Sequence, residues 1–221
     1  MTMVQLTFSG LTCGIGSNTI LTGLSGRFGK GAFALFGDNG AGKTTLLHVL
    51  SGIRAPQAGQ ISLNGVDLLE DPLRAKRQMV FMPDRPLVYP GMRGIDLLDL
   101  LSDVRGEFTR SSLEPMIERF QVGMHLHKPF EDMSLGTQKK ILLIGTLAST
   151  APILLMDEPT NAMDPQTRAD LEHMLRSQAK QRLVLFSTHD RAFADAVEAE
   201  HWRLSPAGLQ PSDEQKAARM P

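Results

Sequence analysis

The chain of 221 residues has a single cysteine, Cys13, so no disulfide can form within it. It also lacks an excess of either charge. Lys plus Arg number 23 against 24 Asp plus Glu, a net charge of −1, which leaves no global basic field to gather nucleic acid or anionic lipid. Any polyanion must therefore be caught locally. Long apolar runs are missing too: the greasiest stretches, such as Ala151 to Met156, fall well short of the roughly 18 residues of a membrane helix. The start, MTMVQLTF, has neither the basic flank nor the apolar core of a signal peptide. These absences predict a cytoplasmic chain that does not itself cross a bilayer. What is present is ordinary for a globular protein, with 42% hydrophobic and 21% charged residues, enough for a sizeable core. The length is about 1.5 average domains, which fits one domain with an inserted lobe.

Hydrophobic spacing predicts strands at Met3 to Phe8, Thr19 to Leu24, Gly31 to Phe36, Gln60 to Leu63, Gln78 to Met82, Ile153 to Met156 and Leu183 to Ser187. Leu46, Val49, Leu50 and Ile53 recur at helical intervals, so a helix should begin near Lys43 and end at Gly52. Asn64-Gly65 is a turn signal, and Gln166 to Ala179 reads as a helix. From about Gly94 to Ala148 the pattern is helical throughout, as an inserted lobe would be. Strands alternating with helices at both ends imply a mostly parallel sheet. The polar tail from Ser205 to Pro221 reads as a frayed end.

The run Gly37-Asp38-Asn39-Gly40-Ala41-Gly42-Lys43-Thr44, followed by Thr45, lies between a predicted strand and a predicted helix. It matches the phosphate-loop pattern of glycine, four residues, then Gly-Lys-Ser/Thr. The glycines let several backbone N–H groups point inward, and the helix behind adds its positive end. Lys43 then reaches the terminal phosphates, and Thr44 is placed to ligate magnesium. Hydrolysis needs an acidic strand end as well, which Ile153-Leu154-Leu155-Met156-Asp157-Glu158 supplies. Asp157 would hold the metal through water, and Glu158 is the candidate general base for the attacking water.

Ser134-Leu135-Gly136-Thr137-Gln138 opens an apolar helical run upstream of the acidic strand. Together with the two sites above, it resembles the signature motif of the ATP-binding cassette (ABC) ATPases. Asn161-Ala162-Met163-Asp164 looks like that family's D-loop, and Ser187-Thr188-His189-Asp190 like its switch-histidine segment. The resemblance runs from Met3 to about Leu204. It implies an α/β P-loop NTPase (RecA-like) core with a mostly parallel sheet, N-terminal antiparallel strands and an inserted α-helical subdomain. The division it suggests is a single ABC ATPase domain at 1–204, with core 1–86 and 149–204 and helical subdomain 87–148, and a tail at 205–221. The resemblance further implies that Ser134 and Gly136 bind the γ-phosphate held by a second protomer, with Asp164 at the same interface. Two ATP molecules would then be sandwiched in a symmetric homodimer. His189 would contact the γ-phosphate and hold Glu158 and the water in place.

Three positions depart from the family pattern. Ile15 stands where an aromatic residue usually stacks on adenine, and an aliphatic side chain lacks the π-face. Asp84 replaces a glutamine that normally joins the magnesium shell; it either binds the metal or caps the following turn. Leu135 and Thr137 replace a glycine and a glutamine of the commonest signature. Lys139 and Lys140 read as surface charge, and His125 and His127 as solvated loop histidines. Leu87, Val88, Tyr89 and Pro90 offer either a docking groove for a membrane partner or a minor core contribution.

The resemblance therefore implies the ATP-hydrolysing, Mg2+-dependent subunit of an exporter-type transporter. It would lie on the cytoplasmic face of the cell membrane and work with separate transmembrane permease subunits, with no nucleic acid expected. The alternative is a soluble ABC ATPase, or a weakly hydrolysing nucleotide sensor, not coupled to transport.

Overall fold

The computed structural model describes residues 4–15 and 18–212. They divide into two compact units, one built from Met1–Phe81, Ala151–Glu158 and Glu172–Pro221, the other from Met82–Thr150 and Pro159–Leu171.

The first unit opens with β1 (Gln5–Ile15) and β2 (Asn18–Gly29), paired antiparallel. Both are longer than sequence alternation suggests, for a local reason. Leu6 and Phe8 point inward, the register shifts around Gly10 (φ 61°), and Leu11 and Cys13 point inward again. A bulge of this kind breaks the period of two while keeping the buried face continuous. Burial pushes the Cys13 thiol up, with Arg54 opposing, so the thiol stays protonated in the core. β4 (Ala58–Leu63) joins β1, and the two-residue Asn64-Gly65 turn, both residues at positive φ, returns the chain as β5 (Val66–Asp67). The sheet order is β2-β1-β4-β5.

The second sheet of this unit holds the predicted core strands β3 (Gly31–Phe36), β7 (Ile153–Met156) and β8 (Leu183–Ser187). β3 and β7 each pair parallel with β8, and every residue of β7 and β8 is buried, as expected for strands covered on both faces. β6 (Met79–Met82) lies beyond β7. On the other side β9 (Glu200–Ser205) runs parallel to β3 and pairs antiparallel with β10 (Gly208–Pro211). The start of the predicted frayed tail is thus an edge strand, held by backbone pairing that its polar side chains do not advertise; residues 213–221 lie outside the described residues.

α1 (Lys43–Leu50) buries Leu46, Leu47, Val49 and Leu50 against the core. Ile53, part of the same predicted spacing, falls beyond the helix end and is 54% exposed. A short α2 (Pro72–Arg77), unforeseen from the sequence, starts at Asp71, whose side chain accepts the Arg74 N–H, with proline in the first turn. α7 (Arg191–Ala196) begins the same way at Asp190.

The second unit is helical: α3 (Gly94–Arg105), α4 (Arg110–Arg119) and α5 (Leu135–Ala148) pack together with short 3-10 turns between α4 and α5. Close approach explains its buried glycines. A Cβ on Gly145 would lie 2.6 Å from Leu101, and one on Gly94 would lie 2.7 Å from Ile141. α6 (Pro165–Ala179) carries the chain from this unit into the first. Lys139 corrects the reading from sequence. It is fully buried rather than surface charge, because Lys139, Leu143, Thr146 and Leu147 form one inward stripe of α5 at helical spacing.

Candidate functional site

The turn after β3 curls through Gly40 (φ 83°) and Gly42 (φ 96°), both in the left-handed region that glycine adopts without strain. A Cβ on Gly42 would also lie 2.8 Å from Leu21 and 2.9 Å from Ile20, so strand β2 presses on the loop and only glycine fits. A Cβ on Gly37 would meet the Leu204 carbonyl oxygen at 2.6 Å. The loop ends at α1, whose first N–H groups have no helical partner and give this end its partial positive charge.

A cleft of about 340 Å³ lies over this turn. Asp38, Asn39, Gly40, Ala41, Gly42, Lys43, Thr44 and Thr45 line it, together with Ile20, Glu158 and His189. The cleft therefore joins the phosphate loop to the ends of β7 and β8. Lys43 is nearly buried; its Nζ donates to the Gly37 carbonyl at 2.7 Å and lies 3.1 Å from His189 Nε2. The same Nε2 is 3.3 Å from Glu158 Oε1. One ring nitrogen cannot serve both neighbours: it must be bare to accept from Lys43 and protonated to donate to Glu158. A ligand that draws the Lys43 ammonium away releases His189 to bond Glu158.

Behind the cleft, parallel pairing of Met156 with Phe186 brings Asp157 alongside Ser187. The buried Ser187 hydroxyl donates to Asp157 Oδ1 at 2.5 Å and accepts the Glu158 N–H at 2.9 Å. Glu158 has φ 44°, uncommon for a residue with a side chain, and this bond helps hold it there. Ser187 is a site residue that sequence reading missed as such. The signal was present in the strand register, since equal strand ends set Asp157 and Ser187 side by side. His189 itself sits in the turn between β8 and α7, its side chain 53% exposed. The Ile15 side chain lies outside the described residues.

The remaining site residues from sequence belong to the second unit. Ser134 caps α5, its Oγ accepting the Thr137 N–H at 3.2 Å and lying 2.9 Å from Thr137 Oγ1. Gly136 is required by packing, since a Cβ there would be 2.6 Å from the Ala162 carbonyl oxygen. Lys140 reaches Asp164 Oδ2 at 2.6 Å, and Asp164 also accepts from the backbone and hydroxyl of Thr167. The Lys140 hydrogen bond, then the Thr167 N–H, hold the Asp164 carboxyl well below the usual carboxylate range. Asp84 follows β6, and its Oδ1 accepts from both Lys139 Nζ and Asn161 Nδ2, each at 3.0 Å.

A family model described as ABC transporter matches residues 21–161. The chain is 31% identical over 194 residues to the cytochrome c biogenesis ATP-binding export protein CcmA of Paramagnetospirillum magneticum, covering 85% of this chain and 89% of that protein. It is 35% identical over 159 residues to YxlF of Bacillus subtilis, an uncharacterized ABC transporter ATP-binding protein, covering 71% of this chain. The chain spans about half (52%) of YxlF's length. Among solved structures, the ATP-binding subunit of an ABC transporter superposes with TM-score 0.83 at 24% identity, covering 96% of this chain and 92% of that one. A dimeric ATP-binding cassette bound to ADP and Pi gives 0.80 at 18% identity, covering 93% and 98%. Both likenesses establish the fold alone, that of an ATP-binding cassette, with a parallel-rich sheet and antiparallel strands.

Proposed function

The chain belongs to the ABC transporter family, and from that premise we propose that it is an ATP-binding, ATP-hydrolysing subunit that drives transport through separate membrane-spanning subunits. One observation carries the reading: Lys43, Glu158 and His189 converge on a cleft floored by the phosphate loop. The loop N–H groups and Lys43 bind the polyphosphate of ATP, Glu158 takes a proton from the attacking water, and His189 orients Glu158 and the γ-phosphate.

The residues present suit a magnesium ion. The Thr44 hydroxyl is exposed in the cleft and the Asp157 carboxylate closes β7, hard oxygen donors of the kind this ion prefers. In this reading Thr44 and Asp157 would hold it, and it would supply positive charge against the phosphates.

The chain is read as one cassette domain at 1–204 whose inserted helical part carries the signature. Ser134, Gly136 and Asp164 complete the nucleotide site of a second copy, so that ATP binding closes a homodimer and hydrolysis reopens it. Among the described residues no helix is long and apolar enough to cross a membrane. In this reading separate permease subunits carry the substrate, and the cassette works on the cytoplasmic face of their membrane.

Equilibrium binding of MgATP and release of phosphate, compared between wild type and Lys43→Ala, test this reading. The wild type should bind MgATP and release phosphate, and Lys43→Ala should lose on the order of 10²-fold in affinity or rate. Binding without phosphate release would favour the nucleotide-sensor alternative. Equal binding by both proteins would remove the cleft from the account.

A further inference from the structure

Parallel pairing sets Arg203 of β9 beside Phe36, the last residue of β3, so β9 runs past the first residues of the phosphate loop within the first unit. Two contacts follow from that register. A Cβ on Gly37 would meet the Leu204 carbonyl oxygen at 2.6 Å, and the next loop residue, Asp38, accepts from Arg203 Nη2 on its Oδ1 at 3.4 Å. Lys43 is tied to the same stretch, its Nζ donating to the Gly37 carbonyl at 2.7 Å and to the Asp38 carbonyl at 3.5 Å. Asp38 lines the cleft, and its side chain is 88% exposed, so packing does not hold it in one rotamer. A carboxylate turned over the loop would repel a polyphosphate. Among the described residues Arg203 is the only cationic side chain bonded to this carboxylate, and it draws it toward β9.

Resting on the reading above that this cleft binds ATP, we propose that Arg203 is a positioning residue for the nucleotide: it tethers the Asp38 carboxylate on the β9 side and keeps that charge off the phosphates. An ion pair this exposed contributes little to folding. Its consequence lies in the ligand, and it grows with the negative charge the ligand brings to the loop.

The test is a double-mutant cycle on Asp38 and Arg203, read without Mg2+ by equilibrium affinity for a non-hydrolysable ATP analogue and for ADP, beside the thermal midpoint of each variant. Arg203→Gln should weaken analogue binding about threefold at low salt and ADP binding by less, since ADP carries less charge. At about 1 M salt, where the screening length is about 3 Å, the loss should disappear. In the Asp38→Asn background the same substitution should have less than about half its effect, because no carboxylate is left to tether. Thermal midpoints should stay within about 2 °C of wild type. A purely structural role would lower the midpoint and weaken both nucleotides equally at both salt concentrations. Equal losses in the two backgrounds would make Arg203 a general cation near the cleft, and unchanged affinity in Arg203→Gln would make the pair idle. Each of these three results overturns the proposal. The underlying reading fails separately: a wild type that binds neither nucleotide, or binds them no better than Lys43→Ala, removes the cleft as the site.

Discussion

Around the phosphate loop, Lys43, Glu158 and His189 border an open cleft and hold one another loosely, at 3.1 and 3.3 Å. In the second unit Ser134 is bonded to Thr137, Lys140 to Asp164, and Asp84 to Lys139 and Asn161, with contacts down to 2.6 Å. The first arrangement borders open space that a ligand can enter, while the second ties side chains to one another and to the start of a helix. Substitutions at the cleft should therefore cost chemistry before stability, whereas substitutions that break the packing of the helical unit should cost stability first.

The largest expected effect is at His189. Replacement by alanine should lower ATP turnover roughly 10²-fold, as loss of a group that orients the base and the phosphate. Its side chain is half exposed, so chemical denaturation should register a change within about 0.5 kcal/mol. A large loss of stability with retained turnover would reverse the comparison. Next comes Gly136→Val. The clash with the Ala162 carbonyl should destabilise the protein by about 1–3 kcal/mol, visible as a lower denaturation midpoint.

Ser187→Ala blurs the line between the units, because this cleft-side residue is buried. Losing both of its hydrogen bonds should cost about 1–3 kcal/mol and also slow turnover as Glu158 leaves its φ 44° conformation. If Ser187→Ala affects only turnover, the cleft is more independent of its core than these two hydrogen bonds imply.

The smallest effect concerns pH. The folded-state pKa of Asp164 is depressed, so its contribution is present above the ordinary carboxylate range and fades as pH falls through that range and below. Lys140→Met removes the principal cause, and its stability should converge on that of wild type as the solution is acidified, by at most about 1 kcal/mol since the Asp164 carboxylate is nearly half exposed and screened by solvent. A gap that widens on acidification would contradict this.

The phosphate loop, β3, β7 and β8 were legible in the sequence because short apolar runs ending in Gly37, Asp157 and Ser187 carry both fold and site. The full length of β1 was hidden by its bulge, and β10 by pairing that depends on backbone alone. Lys139 was misread for a different reason. Composition marks a lysine as surface, yet its place on the α5 stripe put it inside, and its partner Asp84 lies 55 positions away along the chain. A buried charge is legible only when its counter-charge is known to be near. Ser187 was visible as part of a motif, but its bonds to Asp157 and Glu158 follow only from strand register.

The most direct measurement is ATP hydrolysis and ATP binding by Glu158→Gln beside wild type in the same preparation. The amide keeps the shape of the side chain and removes its basicity. The account predicts that binding is retained, hydrolysis falls by 10² or more (roughly the contribution of a general base), and an ATP-bound dimer accumulates. Hydrolysis at the wild-type rate, or loss of nucleotide binding along with it, would contradict Glu158 as the base at this cleft.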